Sequence, residues 1–422
     1  MTKTTGAGLG ISKFGLSDDG GNAFGIAFFL ATTAFVSPLL ALCLSTILFA
    51  GCPSRKMAVS CAFGIALSMS LVVSGIEYRH PVDMTRWMAE CQFYTGKSVL
   101  SVLSSSNSDH DGLIVWNVWC WLVGNSGSLA LLQVSGAFVG FGLTSWVVMD
   151  ACARERTDAA AFLALFIFVV LAVHMQAIVA YMRSTLGCIL CATAFYIRRS
   201  YGIRDSIPSL LLILLACGIH TSMVVAFALL ILQPFIAKNP KSGALICALA
   251  LAAVASAATI LITSHVLDGL PLVGDAIKKA SIYTEGTGWD QQQAKDSLAV
   301  AGHALSMVLL GMLLLRTFLT SQDDYRFPVM LVMGFCVFAM EATLVNVGNR
   351  LIYIPLLIGS TLCLNNEERK ALSKLRWPLL LDFCLFVVSA LVCLIALRNF
   401  IPSFNYIGVA KYAVFYPSIL FS

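Results

Sequence analysis

The sequence predicts an all-α protein that crosses a membrane many times, and three observations predict it. Apolar runs of about 20 residues recur from Ala23 to Leu397, each long enough for a hydrocarbon core of roughly 30 Å. Only 12% of the 422 residues are charged, where a soluble chain carries about 25%, and the mean hydropathy is +0.86. The runs are apolar on every side. Barrel strands would alternate over about 10 positions, so the spans are helices that satisfy their own backbone.

Twelve spans follow in order: 23–50, 57–76, 127–149, 158–174, 180–197, 206–218, 220–237, 242–264, 299–317, 327–345, 350–364 and 377–397. The sixth and seventh are short enough to be two half-helices meeting within the membrane. Residues 1–22 are polar and Gly-rich, and the run after them is too long for a signal-peptide core, so no cleavable signal is expected. The domain expectation is a polar N-terminal segment over 1–22, one transmembrane helical domain over 23–397, and a tail over 398–422.

Charge sets the orientation. Arg55 and Lys56 follow the first span and Arg154 and Arg156 the third; Arg198, Arg199 and Arg204 follow the fifth. Lys238 and Lys241 follow the seventh. Arg316 and Arg326 flank the loop after the ninth, and Arg369, Lys370, Lys374 and Arg376 follow the eleventh. All six loops fall on one side, which the positive-inside rule makes cytoplasmic. Both termini and the long connections 77–126 and 265–298 are then expected outside. The net charge of +5 reflects this bias and gives no reason to expect nucleic acid. The segment 113–123 is apolar and aromatic but about half a span, which fits an interfacial or re-entrant helix, its Trp116, Trp119 and Trp121 an aromatic belt.

Most of the 14 cysteines lie inside apolar runs, and Cys188 and Cys191, a C-x-x-C in mid-span, read as helix packing. Cys91 and Cys120 both fall in the outer segment, where no spacing rule pairs them. Asp109, His110 and Asp111 lie in a Ser-rich loop and give no dependable metal signature. No P-loop, dinucleotide fingerprint, zinc motif or nucleophile elbow is found. No metal or cofactor is expected.

Charges at membrane depth cost about 2.5–3.5 kcal/mol each on insertion scales, so each is a site candidate. Arg183 sits in AYMRSTLG, His220 in LACGIHTSM, Glu341 in the tenth span and Arg350 in NVGNRLIY. The outer loop adds Arg79, His80, Asp83 and Arg86. All map to the outer half. Arginine forks suit phosphate oxygens, and a histidine or carboxylate can take a proton from a hydroxyl. Each also has a plain reading. Arg183 and Arg350 fit snorkelling cations, His220 a packing residue, Asp83 and Arg86 a local ion pair, and Glu341 a buried structural acid.

The stretch Tyr181–Pro234 carries a resemblance. It reads YMRSTLGCILCATAFYIRRS, a basic turn, then IPSLLLILLACGIHTSMVVAFALLILQP. This resembles the EpsG family, relatives of the Wzy-type polysaccharide polymerases, at Arg183, Ala192, Arg198, Arg199, Ala216, His220 and Ser222. Asp83 and Trp87 in PVDMTRW, the stretch DGLIVWNVWCWL, and Asn349, Arg350 and Tyr353 follow the same chain order. Pro81, Val82 and Trp87 depart from the family's usual G-x-D-x-x-x-Y pattern.

The resemblance implies a GT-C-like membrane glycosyltransferase in the bacterial cytoplasmic membrane. It would join undecaprenyl-pyrophosphate-linked repeat units into a surface polysaccharide by inverting transfer, without a cofactor. Its partners would be lipid-linked glycans, the bilayer and other polysaccharide-assembly membrane proteins. His220 or Asp83 would be the base. Arg183 and Arg350, with Arg79 or Arg86, would hold pyrophosphate, supported by Glu341, Ser222, Asn349 and Tyr353. A lipid-linked oligosaccharide flippase or other transporter is the rival. It predicts pseudo-symmetric halves and midplane polar residues, and neither is visible. A membrane acyltransferase would more naturally attack from the cytoplasmic side.

Overall fold

Proline punctuates the first apolar run. Pro38 has no N–H to continue a helix, and the run breaks there into α1 (Gly20–Val36) and α2 (Pro38–Gly51). Ser37 caps α2, its Oγ accepting from the Leu40 amide at 3.4 Å. The two helices lie antiparallel along α3 (Arg55–Ser74). Ser60, early in α3, donates to the Ala23 carbonyl at 2.8 Å. Phe35, late in α1, meets Tyr416 edge-on, and Tyr416 lies 3.4 Å from Ser74 at the far end of α3. Ala23 and Arg55 therefore stand at the same end of α3. The single crossing expected over 23–50 would have put them at opposite ends.

The computed structural model describes residues 20–78, 83–104, 113–201, 206–224, 226–228, 230–231, 297–320, 326–343, 351–362, 378–400 and 405–416. The end of the expected span 220–237 and the whole of 242–264 lie outside these residues, as does nearly all of the connection 265–298. Every regular element among the described residues is helical. The outer segment folds as α4 (Asp83–Phe93), α5 (Val99–Ser104) and α6 (Ile114–Asn125). Then come α7 (Ala130–Arg154), α8 (Ala159–Ala172), α9 (Met175–Ala180), α10 (Met182–Tyr201) and α11 (Ser206–Ile219). The last described elements are α12 (Ser297–Thr320), α13 (Arg326–Thr343), α14 (Tyr353–Leu362), α15 (Pro378–Phe400) and α16 (Tyr406–Val414).

Polar side chains start several of these helices. Ser54 caps α3, Asp158 caps α8 through Ala161 N at 2.8 Å, and His174 caps α9 through Ala177 N at 3.1 Å. His174, which carried no sequence pattern, thus has a structural task.

The core forms around α3 and α7, the most extensive helix pair. Small residues let the backbones approach: a Cβ at Gly142 would stand 3.1 Å from that of Ala66. Among the described residues, four helices are long and apolar enough to cross a membrane: Arg55–Ser74, Ala130–Arg154, Val300–Leu319 and Leu380–Arg398. Shorter apolar helices accompany them. Protein neighbours bury 67% of the apolar window of α3 but only 11% of that in α15. Phe24, Phe383 and Leu394 point outward, more than half exposed. A surface this apolar belongs in lipid. The chain is a helical membrane protein.

Candidate functional site

Trp116 is the centre of the end of the bundle where α3 finishes and α7 begins. It is fully buried on α6. Its Nε1 donates to Glu90 Oε2 at 3.3 Å, and Trp87 meets it edge-on at 5.6 Å. Spacing puts Asp83, Trp87 and Glu90 on one face of α4, at i, i+4 and i+7. That face turns toward α6 because Met84, Trp87 and Cys91 are the apolar residues to bury. Helices α4 and α6 touch closely: a Cβ at Gly124 would collide with the Cys91 carbonyl oxygen. Trp119 donates to Ser135 Oγ at 3.0 Å and Trp121 to the Lys97 carbonyl at 2.7 Å. These indoles are protein contacts, so the expected lipid-facing belt is corrected for Trp116 above all. An indole suits a protein core as well as an interface, provided its N–H finds an acceptor.

Arg183 approaches Trp116 from the other side. It sits in the first turn of α10, held by a break at Tyr181 and by Thr185, whose Oγ1 donates to the Ala177 carbonyl at 2.7 Å. Its guanidinium lies 5.1 Å from the centroid of the Trp116 ring, within cation–π range. Its Nε reaches the Ile219 carbonyl at 3.5 Å. Ile219 ends α11, and His220 follows. The sequence-predicted Arg183 and His220 are therefore brought together. Helix α11 can come so near because Gly218 faces Val115 of α6 with no room for a Cβ.

Beyond His220 the chain makes a single 3-10 turn, Thr221–Met223. The expected meeting of two short helical segments falls at this point. Ser222 Oγ stands 2.7 Å from His220 Nδ1, and the Ser222 amide donates to the same nitrogen at 3.3 Å. An N–H can only donate, so Nδ1 accepts. A neutral ring then carries its proton on Nε2.

The other sequence candidates divide. Asp83 is half-buried and Arg86 exposed, and among the described residues they form no ion pair with each other. Tyr353, at the start of α14, lies near Tyr181 and Cys188. Glu341 falls in the last turn of α13. Arg79, Asn349 and Arg350 lie outside the described residues. Glu90 was missed: an acid in a polar 11-residue helix reads as solvated, and its register with Asp83 and Trp87 was the available signal. Cys120 lies beside Cys91, Glu90 and Arg183, and both cysteines are buried free thiols. Tyr78, at the rim, donates to Gln133 Oε1 at 2.8 Å, and burial holds its phenol well above the usual range. No cluster of three metal-ligating side chains occurs among the described residues.

The arrangement joins a cation, a carboxylate, a histidine and an aromatic wall, which suits handling of a polar anionic group at a membrane rim. No curated protein and no solved structure is similar enough to the chain to count as a match. The sequence model of the EpsG family matches residues 65–414, a range that runs from the middle of α3 to the end of α16. The chain belongs to the EpsG family, membrane proteins related to the Wzy-like polysaccharide polymerases.

Proposed function

We propose that this protein polymerises lipid-linked oligosaccharide repeat units into a surface polysaccharide at the outer face of the bacterial cytoplasmic membrane. The observation that carries the reading is Arg183 seated between Trp116 and the carbonyl next to His220, in a chain of the EpsG family. The whole chain would form about 12 spans in a GT-C-like bundle. The basic loops would place the Arg55 end of α3 in the cytoplasm and the Trp116 end outside. Residue 23 then starts from the cytoplasmic side and α16 lies outside.

In the proposed reaction an acceptor hydroxyl attacks the anomeric carbon of the donor glycan from the face opposite the leaving group. The bond from that carbon to the undecaprenyl pyrophosphate breaks, and its electron pair stays on the phosphate oxygen. Arg183 and Arg350, with Arg79 or Arg86, offset the charge that gathers there. His220 is suited by its tautomer to donate Nε2–H to the departing pyrophosphate. Asp83 is then the group to take the hydroxyl proton. Glu90 holds the Trp116 indole on which Arg183 rests. Ser222 sets the His220 ring, and Asn349, Tyr353 and Glu341 support the wall. No cofactor takes part.

The test is direct. Purified protein is incubated with a lipid-pyrophosphate-linked repeat unit from its own host, with and without EDTA, and glycans are resolved by gel or mass spectrometry. A ladder that Arg183→Ala and Asp83→Asn both lose supports the reading. A ladder that survives both overturns the site. No ladder from folded protein on verified substrate overturns the activity, and lipid scrambling by a flippase is then measured.

A further inference from the structure

Helices α4 and α6 run side by side in the same direction, and residues 29 apart in sequence face each other along them. The first rung is Trp87 against Trp116, edge-on at 5.6 Å. The last lies just past α4, where Thr95 Oγ1 donates to the Gly124 carbonyl at 3.1 Å and the Gly96 amide to Asn125 Oδ1 at 2.9 Å. A helix brings residues four apart onto one face. One turn on from Trp87 and Trp116, and one turn before Thr95 and Gly124, the same register pairs Cys91 with Cys120.

Their side chains do meet: the Cys120 thiol is in hydrogen-bond contact with that of Cys91. The backbones are close as well. Gly124, one turn after Cys120, has no room for a Cβ against the Cys91 carbonyl. That closeness matters because a disulfide spans only about 4.4–6.8 Å between Cα atoms. Both thiols are reduced in the structure and fully buried. Cys188 and Cys191 are neighbours too, but they share one helix deep in the bundle.

We propose that Cys91 and Cys120 form a disulfide in the mature protein, a covalent rung between α4 and α6. The inference rests on the reading that puts the Trp116 end outside, where thiols meet oxidants. The oxidant is a disulfide of that compartment, carried by a protein or by a small thiol. One cysteine thiolate attacks it to form a mixed disulfide, and the second displaces the carrier. The Cys91–Cys120 S–S bond forms, the carrier's S–S bond breaks, and both thiol hydrogens leave with the carrier, which is released as two thiols. The exchange takes place as the outer segment folds, before α4 closes on α6, and burial then shields the bond. It clamps the face of α4 that carries Trp87 and Glu90 against Trp116, the ring on which Arg183 rests.

The test uses the full chain in membranes of its own host. The membranes are dissolved in denaturant with N-ethylmaleimide, digested without reductant, and the peptides weighed. The expected product is the Cys91 peptide joined to the Cys120 peptide, free of maleimide and separated by reductant, while Cys188 and Cys191 carry maleimide. In parallel, Ser98→Cys, at an exposed position of the same outer segment, is treated in spheroplasts with a membrane-impermeant maleimide. Its labelling reports the side of the membrane independently of the pair. Maleimide on both Cys91 and Cys120, with Ser98→Cys labelled, overturns the disulfide and leaves the orientation standing. Maleimide on both with Ser98→Cys unlabelled overturns the orientation as well, and the proposed function with it. A bond from either cysteine to a different partner overturns the pairing.

Discussion

At one end of the bundle the Asp150 carboxylate takes Arg154 Nε and the Tyr196 hydroxyl at 2.6 Å each, with Arg55 Nε at 3.4 Å. At the other, the Arg183 guanidinium rests 5.1 Å from an indole centroid and 3.5 Å from a carbonyl. The first is a buried acid in a tight shell, which ties α3, α7 and α10 together. The second is a cation set against an aromatic face and a backbone carbonyl, where α6, α10 and α11 meet. The first joins helices through a buried carboxylate, and the second brings a cation to the turn that carries His220. The two ends should therefore respond differently to substitution.

The largest expected effect is at the Arg183 end. Arg183→Ala should lower glycan transfer by about 100- to 1000-fold, the usual cost of removing one preorganised charge stabiliser. Its Tm should stay close to the parent's. A kinetic assay beside a melting curve checks both, and a melt that falls with activity would erase the contrast. At the tight end, Arg154→Met should cost roughly 3 kcal/mol of stability. That is the low end for orphaning a buried charge, because Tyr196 and Arg55 remain on Asp150. The folded fraction should transfer glycan at the parental rate, measured against active protein.

A smaller effect tests the walls. Gly124→Ala drives a methyl into the Cys91 carbonyl and should cost about 1–3 kcal/mol by overpacking. Because it moves α6, and Trp116 with it, transfer should drop alongside the melt. The smallest is Glu90→Gln, which keeps an acceptor for Trp116 but removes the charge. A loss of about 10-fold in kcat, about 1.4 kcal/mol, with KM little changed would mark Glu90 as a positioning residue. A change in KM alone would place it in binding.

The helical membrane class was legible in the sequence, and Arg183 and His220 stood out there as separate candidates. Long apolar runs and costly charges are strong signals, because lipid offers so few ways to hide a polar group. The α1–α2 break was also signalled, by Ser37–Pro38 in the middle of a run, but the uniform apolar stretch over 23–50 outweighed it. Asp150 passed unnoticed although Arg154 stands one turn on, an i,i+4 spacing that announces an ion pair. Trp116 was misread because composition does not tell an indole that faces lipid from one that faces α10. Only the chain's path back through α10 and α11 makes that distinction.

The helices of the α1–α2 hairpin bear on the bilayer itself. Helix α2 has 14 residues, as does its neighbour α8, and at 1.5 Å per residue each rises about 21 Å. A typical hydrocarbon core is roughly 30 Å thick. The mismatch falls on one flank, where Phe49 and Phe162 pair. Lipids bordering that flank must compress and tilt to keep their headgroups level with the helix ends. A bilayer bordering that flank would thin locally, and lipids with short or disordered chains should gather there.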